Sequence, residues 1–317
     1  MNSSTGRIVL LSCSHRVAPG LLSWPAWSVL RSADRVVCAD PRHPQLPYLR
    51  EAGVAVDTVA LDAEELVAAC DGGRTVVVLA PDEDGPLTDG LARMAGSGRV
   101  AMPSLELLPG AYDLPGARLL DLVAVMDRIR RECAWSSRQT HLGLAKYGIE
   151  EAYELVEAIE AGDRTELREE LGDVLLQVVF HARIAEEDAD EPFGIDDVAG
   201  GIVAKLVHRH PHVFGDETAS TPEEVKAHWA RTKAVEKQRA SVTDGVPLAQ
   251  PALALAAKLA SRARAAGISA VPSGEGVGHD LLNLAVAAEA SGADPESALR
   301  AAAREYRDAI RAAEEQG

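Results

Sequence analysis

The sequence predicts a mainly α-helical protein: a central helical bundle, a small parallel α/β layer before it, and a short helical region after it. Three observations predict this. Short aliphatic runs alternate with amphipathic stretches from Arg7 to about Met102, as buried parallel strands and their crossover helices do. A Pro/Gly-rich break, LPGAYDLPGAR (Leu108–Arg118), follows, and beyond it the strand signal gives way to helical periodicity. Aromatic residues make up only 4% of a chain that is 47% hydrophobic, so the core is aliphatic.

In the first layer the runs RIVLLS, RVVCAD, VAVDTVA, TVVVLA and RVAM read as strands. LLSWPAWSVLRSA, LPYLREAG, DAEELVAACDGG and PLTDGLARMA read as the helices between them. After the break, Leu119–Cys133, Leu144–Ala161, Arg164–Glu187, Ile195–Arg209 and Pro222–Arg239 each carry a helical period. In the third, Leu171, Val174, Leu175, Val178, Val179 and Ala182 share one face, which needs a partner helix to bury it. A second break, SVTDGVPLAQP (Ser241–Pro251), precedes the last helical region, which contains an irregular piece, AVPSGEGVG (Ala270–Gly278).

The 317 residues carry a net charge of −17, which argues against a nucleic-acid polymer or an anionic membrane as partner. A small anionic ligand stays open, because a bound metal inverts the local field. Cys13, Cys38, Cys70 and Cys133 form no Cys-x-x-Cys pair, as expected of a reducing cytoplasm rather than a disulfide or zinc scaffold. The apolar run Ile8–Leu11 is too short to span a membrane and lacks the flanks of a signal peptide.

Acids concentrate on two neighbouring helices. In IEEAYELVEAIEAGD, Glu150, Glu151, Glu154 and Glu157 share one side, and Ile149, Ala152, Tyr153, Val156 and Ile159 are assigned to the core side. In TELREELGDVLLQ, Glu166, Glu169, Glu170 and Asp173 sit near the start of the apolar stripe. Like charges four residues apart repel by about 0.2–0.5 kcal/mol per pair on an isolated helix. The turn Ala161–Asp163 makes the helices antiparallel neighbours and brings Glu151 and Glu154 opposite Glu170 and Asp173. Such carboxylates share a hard cation or form a solvated acidic face. Oxygen-only ligands select Mg²⁺ or Mn²⁺ over zinc. A di-iron bundle would need Glu-x-x-His, which these helices lack.

Two further segments bear on chemistry. KLVHRHPHVFG (Lys205–Gly215) puts Lys205 and Arg209 on one face, suited to phosphate oxygens or simply to a helix C-terminus. Its His208, His210 and His212 leave a zinc reading open. CAWSSRQTH (Cys133–His141) holds Trp135 and His141, suited to stacking on a base or to capping the bundle.

Together and in this order, these three segments resemble the MazG-type nucleoside triphosphate pyrophosphohydrolases. The family pattern Glu-Glu-x-x-Glu, then Glu-x-x-Asp, is met by Glu150, Glu151, Glu154, Glu170 and Asp173. The resemblance covers roughly Leu119–Gly215. It implies an all-α domain, a homodimer or higher homo-oligomer, and hydrolysis of NTP or dNTP to the monophosphate and pyrophosphate. It implies Mg²⁺ (Mn²⁺ as substitute) on Glu151, Glu154, Glu170 and Asp173, with Glu150 as the catalytic group that orients or deprotonates water. Lys205 and Arg209 would bind phosphate, and Trp135 and His141 the base. The implied role is clearance of aberrant or surplus nucleotides. The alternative is a regulatory protein that binds nucleotides without turnover. The chain departs from the family at Cys133-Ala134-Trp135-Ser136, commonly Cys-Pro-Trp-Asp, and at Lys146-Tyr147-Gly148-Ile149, commonly Pro-Tyr-Leu-Leu.

The flanks resemble degenerate relatives. RIVLL, SVLRSADRVVCADPRHP and TVVVLAPDEDGPL are similar to the first part of a tetrapyrrole methylase domain, but SCSHRVAPG replaces its Gly-rich loop, so S-adenosylmethionine binding is not expected. The last region is similar to a second MazG repeat without its Glu-Glu-x-x-Glu helix; Val277 takes the ligand Glu position and His279-Asp280 replaces Gly-Asp. The expected domains are 1–117 (methylase-like remnant), 118–217 (catalytic helical domain), 218–247 (connecting helix and linker) and 248–317 (inactive second repeat).

Overall fold

The computed structural model describes residues 6–80, 85–98, 100–237, 240–270 and 273–316. Within TVVVLAPDEDGPL, residues 81–84 lie outside the described residues, as do Val271 and Pro272 of the irregular piece and Arg239 of the expected helix. The chain divides into two compact units, Met1–Ala199 and Gly200–Gly317.

The first unit opens with a parallel sheet of order β3-β2-β4-β1-β5. Its strands are β1 (Arg7–Ser12), β2 (Arg35–Cys38), β3 (Asp57–Thr58), β4 (Thr75–Ala80) and β5 (Ser104–Pro109). Helices α1 (Trp24–Ser32), α2 (Leu46–Glu51), α3 (Ala63–Ala69) and α4 (Pro86–Ser97) connect them. Alternation along β1 sends Val9 and Leu11 to a layer with Leu30, Leu46 and Leu49. Ile8 and Leu10 go to the other layer, with Leu66, Val67 and Leu91. Burial on both faces is why these strands read as continuous aliphatic runs.

Two strand expectations are corrected. VAVDTVA contributes only Asp57–Thr58, an edge strand. Val100–Met102 is not a strand, and Arg99 lies outside the described residues. The fifth strand is SLELLP, paired with β1 in the register Ile8↔Leu105 and Leu10↔Leu107. It is an edge strand with Leu107 69% exposed, so it never acquires the β-branched run that marks a buried strand.

The helical part of this unit contains α5 (Arg118–Glu132), a 3₁₀ turn (Ser136–Arg138), α6 (His141–Ala161) and α7 (Arg164–Ala185). Thr140 caps α6 by accepting from Gly143 N at 3.1 Å. Gly162 ends α6 in the left-handed region (φ 73°), and Asp163 immediately caps α7, accepting from the backbone N of Thr165 (2.7 Å) and Glu166 (3.1 Å). Two adjacent residues therefore reverse the chain into a tight antiparallel pair. Asp163→Ala is expected to cost about 1 kcal/mol, read as a lower urea midpoint; an unchanged midpoint would mean that the hairpin is set by packing alone.

The core here joins Met126, Leu144, Val179 and Phe180, with Leu122, Tyr147, Leu175 and Ile184 around it. It corrects the expected faces. On α6, Leu144 and Ala158 are buried and Glu151 is half-buried, whereas Ile149 (60%), Tyr153 and Ile159 are exposed. On α7, Val179 and Ala182 are buried but Leu171 and Val178 are exposed. Of the α6 acids only Glu151 is half-buried, clustered with Glu154 and with Glu170 of α7, while Glu150, Glu154 and Glu157 stay exposed.

An ion cluster ties the loop after β1 to the first turn of α5. Arg16 Nε and His15 Nε2 lie 2.7 and 2.9 Å from Asp121 Oδ1, and Arg118 Nη1 lies 2.9 Å from Oδ2. Hydrogen bonding from Arg16 holds the Asp121 carboxyl down to about 2, against an ordinary 3.8. A carboxyl depressed in the folded state adds stability above its unfolded pKa and loses it as pH falls through the folded one. Asp121→Asn is therefore expected to remove a step of acid destabilisation between about pH 4 and pH 2. Circular dichroism during acid titration checks this; identical curves for both proteins would overturn it.

The second unit takes in most of α8 (Ile195–Arg209), then α9 (Pro211–Phe214), α10 (Pro222–Lys237), α11 (Ala252–Ala265), α12 (Val277–Ala290) and α13 (Pro295–Glu314). Pro211 interrupts α8 and opens α9. Val277 and Gly278, expected to be irregular, begin α12 instead. Among the described residues no helix is long and apolar enough to cross a membrane.

Candidate metal centre on the α6–α7 hairpin

The hairpin brings one carboxylate oxygen each from Glu151, Glu154 and Glu170 within 4.8 Å of one another. Glu151 and Glu154 are one turn apart on α6, and Glu170 faces them from α7. Asp173 lies close enough for its charge to act on both Glu151 and Glu170. Burial, and then the charges of Asp173, Glu154 and Glu170, push the Glu151 carboxyl up. Burial, and then Glu154, Asp173, Glu169 and Glu166, do the same to Glu170. Glu170 Oε2 is buried with no hydrogen-bond partner. Buried carboxylate oxygens need a donor or a cation, and no basic side chain is interleaved on this face. The donor set is oxygen only, which fits a hard divalent cation. Glu150, the neighbour of Glu151, is exposed.

The other expected site residues are placed as follows. Trp135 packs its ring edge-on to Tyr147 (6.2 Å between centroids) and tilted to Phe180 (6.4 Å), half exposed at the end of the bundle. His141, the first residue of α6, has its Nδ1 2.7 Å from Nδ1 of His181, with the rings stacked within 5°. Lys205 and Arg209 belong to the second unit. Lys205 is exposed; Arg209 is 4% exposed, with its guanidinium 4.9 Å from the Trp229 ring centre. His210 and His212 lie 5.5 Å apart, and His228 Nδ1 meets Glu217 at 2.8 Å. Among the described residues, the acid trio is the one group whose ligand atoms converge enough for a metal.

Sequence reasoning missed three features. His181 lies eight residues after Asp173 on α7, and that spacing was a legible signal. Gln177, between them, has a buried Oε1 without a partner. Arg130, 8% exposed on α5, bonds Glu187 through Nε (3.0 Å) and Nη2 (2.7 Å) and donates through Nη1 to the carbonyls of Ser136 and Gln139. It thereby pins the loop carrying Trp135 to the turn that follows α7. Nothing in its local sequence distinguished it from its neighbours Arg128 and Arg131.

A helical hairpin that converges carboxylates from both of its helices is an arrangement able to hold a hard divalent cation, in an α-helical domain. The description of the MazG nucleotide pyrophosphohydrolase domain matches residues 139–214. The nucleoside triphosphate pyrophosphohydrolase of Mycolicibacterium smegmatis is 41% identical over 88% of this chain and 85% of its own length. The nucleoside triphosphate pyrophosphohydrolase/pyrophosphatase MazG of Thermotoga maritima is 36% identical over 62% of this chain and 85% of its own. An uncharacterized 26.1 kDa protein of Streptomyces cacaoi is 74% identical over 75% of this chain and all of its own length. The chain belongs to the MazG nucleotide pyrophosphohydrolase family and is a hydrolase.

Proposed function

We propose that the protein hydrolyses nucleoside triphosphates, ribo or deoxy, to the monophosphate and pyrophosphate, with Mg²⁺ as cofactor and Mn²⁺ as substitute. The observation that carries this is the acid trio with the unpartnered Glu170 Oε2. Glu151, Glu154, Glu170 and Asp173 would hold the cation. When bound, it supplies charge neutralisation at the phosphates and a more acidic water. Glu150 would orient the attacking water and accept its proton as the oxygen–phosphorus bond forms at the α-phosphate. The bond to the bridging oxygen breaks and pyrophosphate leaves. Trp135 and His141 contact the base. On the family pattern, Lys205 and Arg209 take phosphate oxygens. The apolar residues exposed on α6 and α7, Ile149, Tyr153, Ile159, Leu171 and Val178, support a homodimer. Cys13, Cys38, Cys70 and Cys133 are in no disulfide, which supports a reducing compartment, the cytoplasm, and clearance of aberrant nucleotides is the role proposed there. Residues 1–117 and 248–317 are proposed to be non-catalytic. Asp280→Asn is expected to leave rates unchanged, and a loss of tenfold or more would show that the last region carries chemistry.

The test is product release from a panel of NTPs and dNTPs with Mg²⁺, with Mn²⁺ and with chelator. Cation-dependent pyrophosphate is the expected product. Orthophosphate would mean attack at the γ-phosphorus and would refute the reaction. Binding without turnover would make the protein a nucleotide-binding regulator.

A further inference from the structure

His141 opens α6, and His181 lies in the last two turns of α7. Their Nδ1 atoms stand 2.7 Å apart, and the rings are stacked within 5° with centroids 5.0 Å apart. Nitrogens that close share a hydrogen, so one ring donates and the other accepts. His181 is half-buried, and burial, then the charge of His141, pushes it below the ordinary histidine value. His141 is exposed and stands near enough to act on the carboxylate of Asp188, in the turn after α7.

The shared hydrogen couples the far nitrogens of both rings. If His181 donates in a neutral pair, Nδ1 of His141 accepts and the hydrogen of His141 sits on Nε2. If His141 donates, its own Nε2 is bare and His181 carries the Nε2 hydrogen. An anion beside the pair, Asp188, favours adding one proton to it, and the singly protonated pair carries hydrogen on both Nε2 atoms. Only the neutral pair with His141 as donor therefore leaves Nε2 of His141 without hydrogen.

The pair shares its end of the bundle with an aromatic surface. Phe180, next to His181, has its ring 6.4 Å from that of Trp135, which is half exposed. His141 lies about 15 Å along the axis of α6 from Glu151 of the acid trio. With phosphates held at the acids, a nucleotide laid along α6 puts its base toward this end.

We propose that His181 is a positioning residue: it donates its Nδ1 hydrogen to His141 and so holds His141 with hydrogen on Nε2, as the donor to an acceptor atom of the substrate's base. This rests on the nucleotide reading above and deepens it. His181 itself touches no substrate; it sets the polarity of the residue that does.

The experiment uses the full chain with His181→Phe, which keeps a ring but removes the bond, and His181→Asn, whose amide nitrogen takes the place of Nδ1. Nitrogen-15 NMR of labelled histidine, with His141 assigned by its loss in His141→Gln, should show hydrogen on Nε2 in the wild type. Affinity with Mg²⁺ is measured for α,β-methylene ATP, for α,β-methylene UTP and for inorganic tripolyphosphate, which has no base. His181→Phe should weaken the tighter of the two analogues about three- to tenfold, the worth of one neutral hydrogen bond. It should raise KM more than it lowers kcat. Tripolyphosphate should bind as it binds the wild type, and His181→Asn should recover most of the analogue affinity. A bare Nε2 on wild-type His141 would overturn the proposal. So would unchanged affinity for both analogues in His181→Phe, or an equal loss for analogue and tripolyphosphate, which would mean a general disturbance of the bundle. If His181→Phe does not fold, the NMR result decides. Orthophosphate release by the wild type would refute the proposed reaction and leave this comparison standing. A wild type that binds neither analogue would refute both.

Discussion

Glu170→Gln is expected to lower pyrophosphate release by about 10³-fold, while raising the Tm of the cation-free protein. Loss of a group that merely orients a metal ligand typically costs 10–100-fold, and loss of a direct ligand should cost more. The opposite sign on stability comes from the same geometry. Glu170 stands within 4.8 Å of the oxygens of Glu151 and Glu154, with its own Oε2 buried and unpartnered. Removing its charge relieves repulsion that the bare protein cannot offset. The pH dependence follows. A carboxyl raised in the folded state binds its proton more tightly there than in the unfolded chain. The penalty is absent below the unfolded pKa and complete above the folded one, so the cation-free protein should gain stability as pH falls through the raised values of Glu151 and Glu170. Added Mg²⁺ should flatten that dependence in wild type and act weakly on Glu170→Gln. A variant with near-wild-type turnover would refute the ligand assignment; one with lower Tm without cation would refute the repulsion.

Arg130→Ala is expected to destabilise the helical part of the first unit by about 2–3 kcal/mol, or lower its Tm by about 5–10 °C. Arg130 bridges three pieces of chain: α5 by its backbone, the turn after α7 through Glu187, and the loop before α6 through the carbonyls of Ser136 and Gln139. Truncation leaves those two carbonyls without their charged donor. Glu187 is 43% exposed and also bonds Arg183 at 3.1 Å, so solvent and that second partner absorb part of the loss. Hydrogen bonding from Arg130 holds the Glu187 carboxyl below its usual range, and the variant should release it. Because Trp135 rides on the pinned loop, KM should rise more than kcat falls. Arg130→Lys should recover less than half of the stability, since an ammonium cannot span the Glu187 fork and both carbonyls. Thermal melts and steady-state kinetics on both variants check this; a loss below 1 kcal/mol would refute the bridging role.

Much of the hairpin was legible before any coordinates. Ile195–Arg209 was bounded correctly, and α7 was placed to within two residues, because proline, glycine and capping residues mark helix ends chemically. The acid pattern was equally legible, since i,i+3 spacing puts Glu151 and Glu154 on one side of a helix whatever surrounds it. The edge strands were not. VAVDTVA looked like a full strand and gave two residues, while SLELLP lacked the pattern and gave six, because at an edge pairing depends on what the neighbouring strand offers.

The sequence by itself determined the element types, the order of layers and the charge row on α6 and α7, because helical period, caps and ionic repulsion are local. Only the tertiary structure decided which side of α6 faces inward. Ile149, Tyr153 and Ile159 looked like the core side but are exposed, while half-buried Glu151 faces α7. Periodicity fixes which residues share a face, but the direction of that face depends on the neighbour that covers it. The same holds for Arg130 and His181, whose partners Glu187 and His141 lie far along the chain.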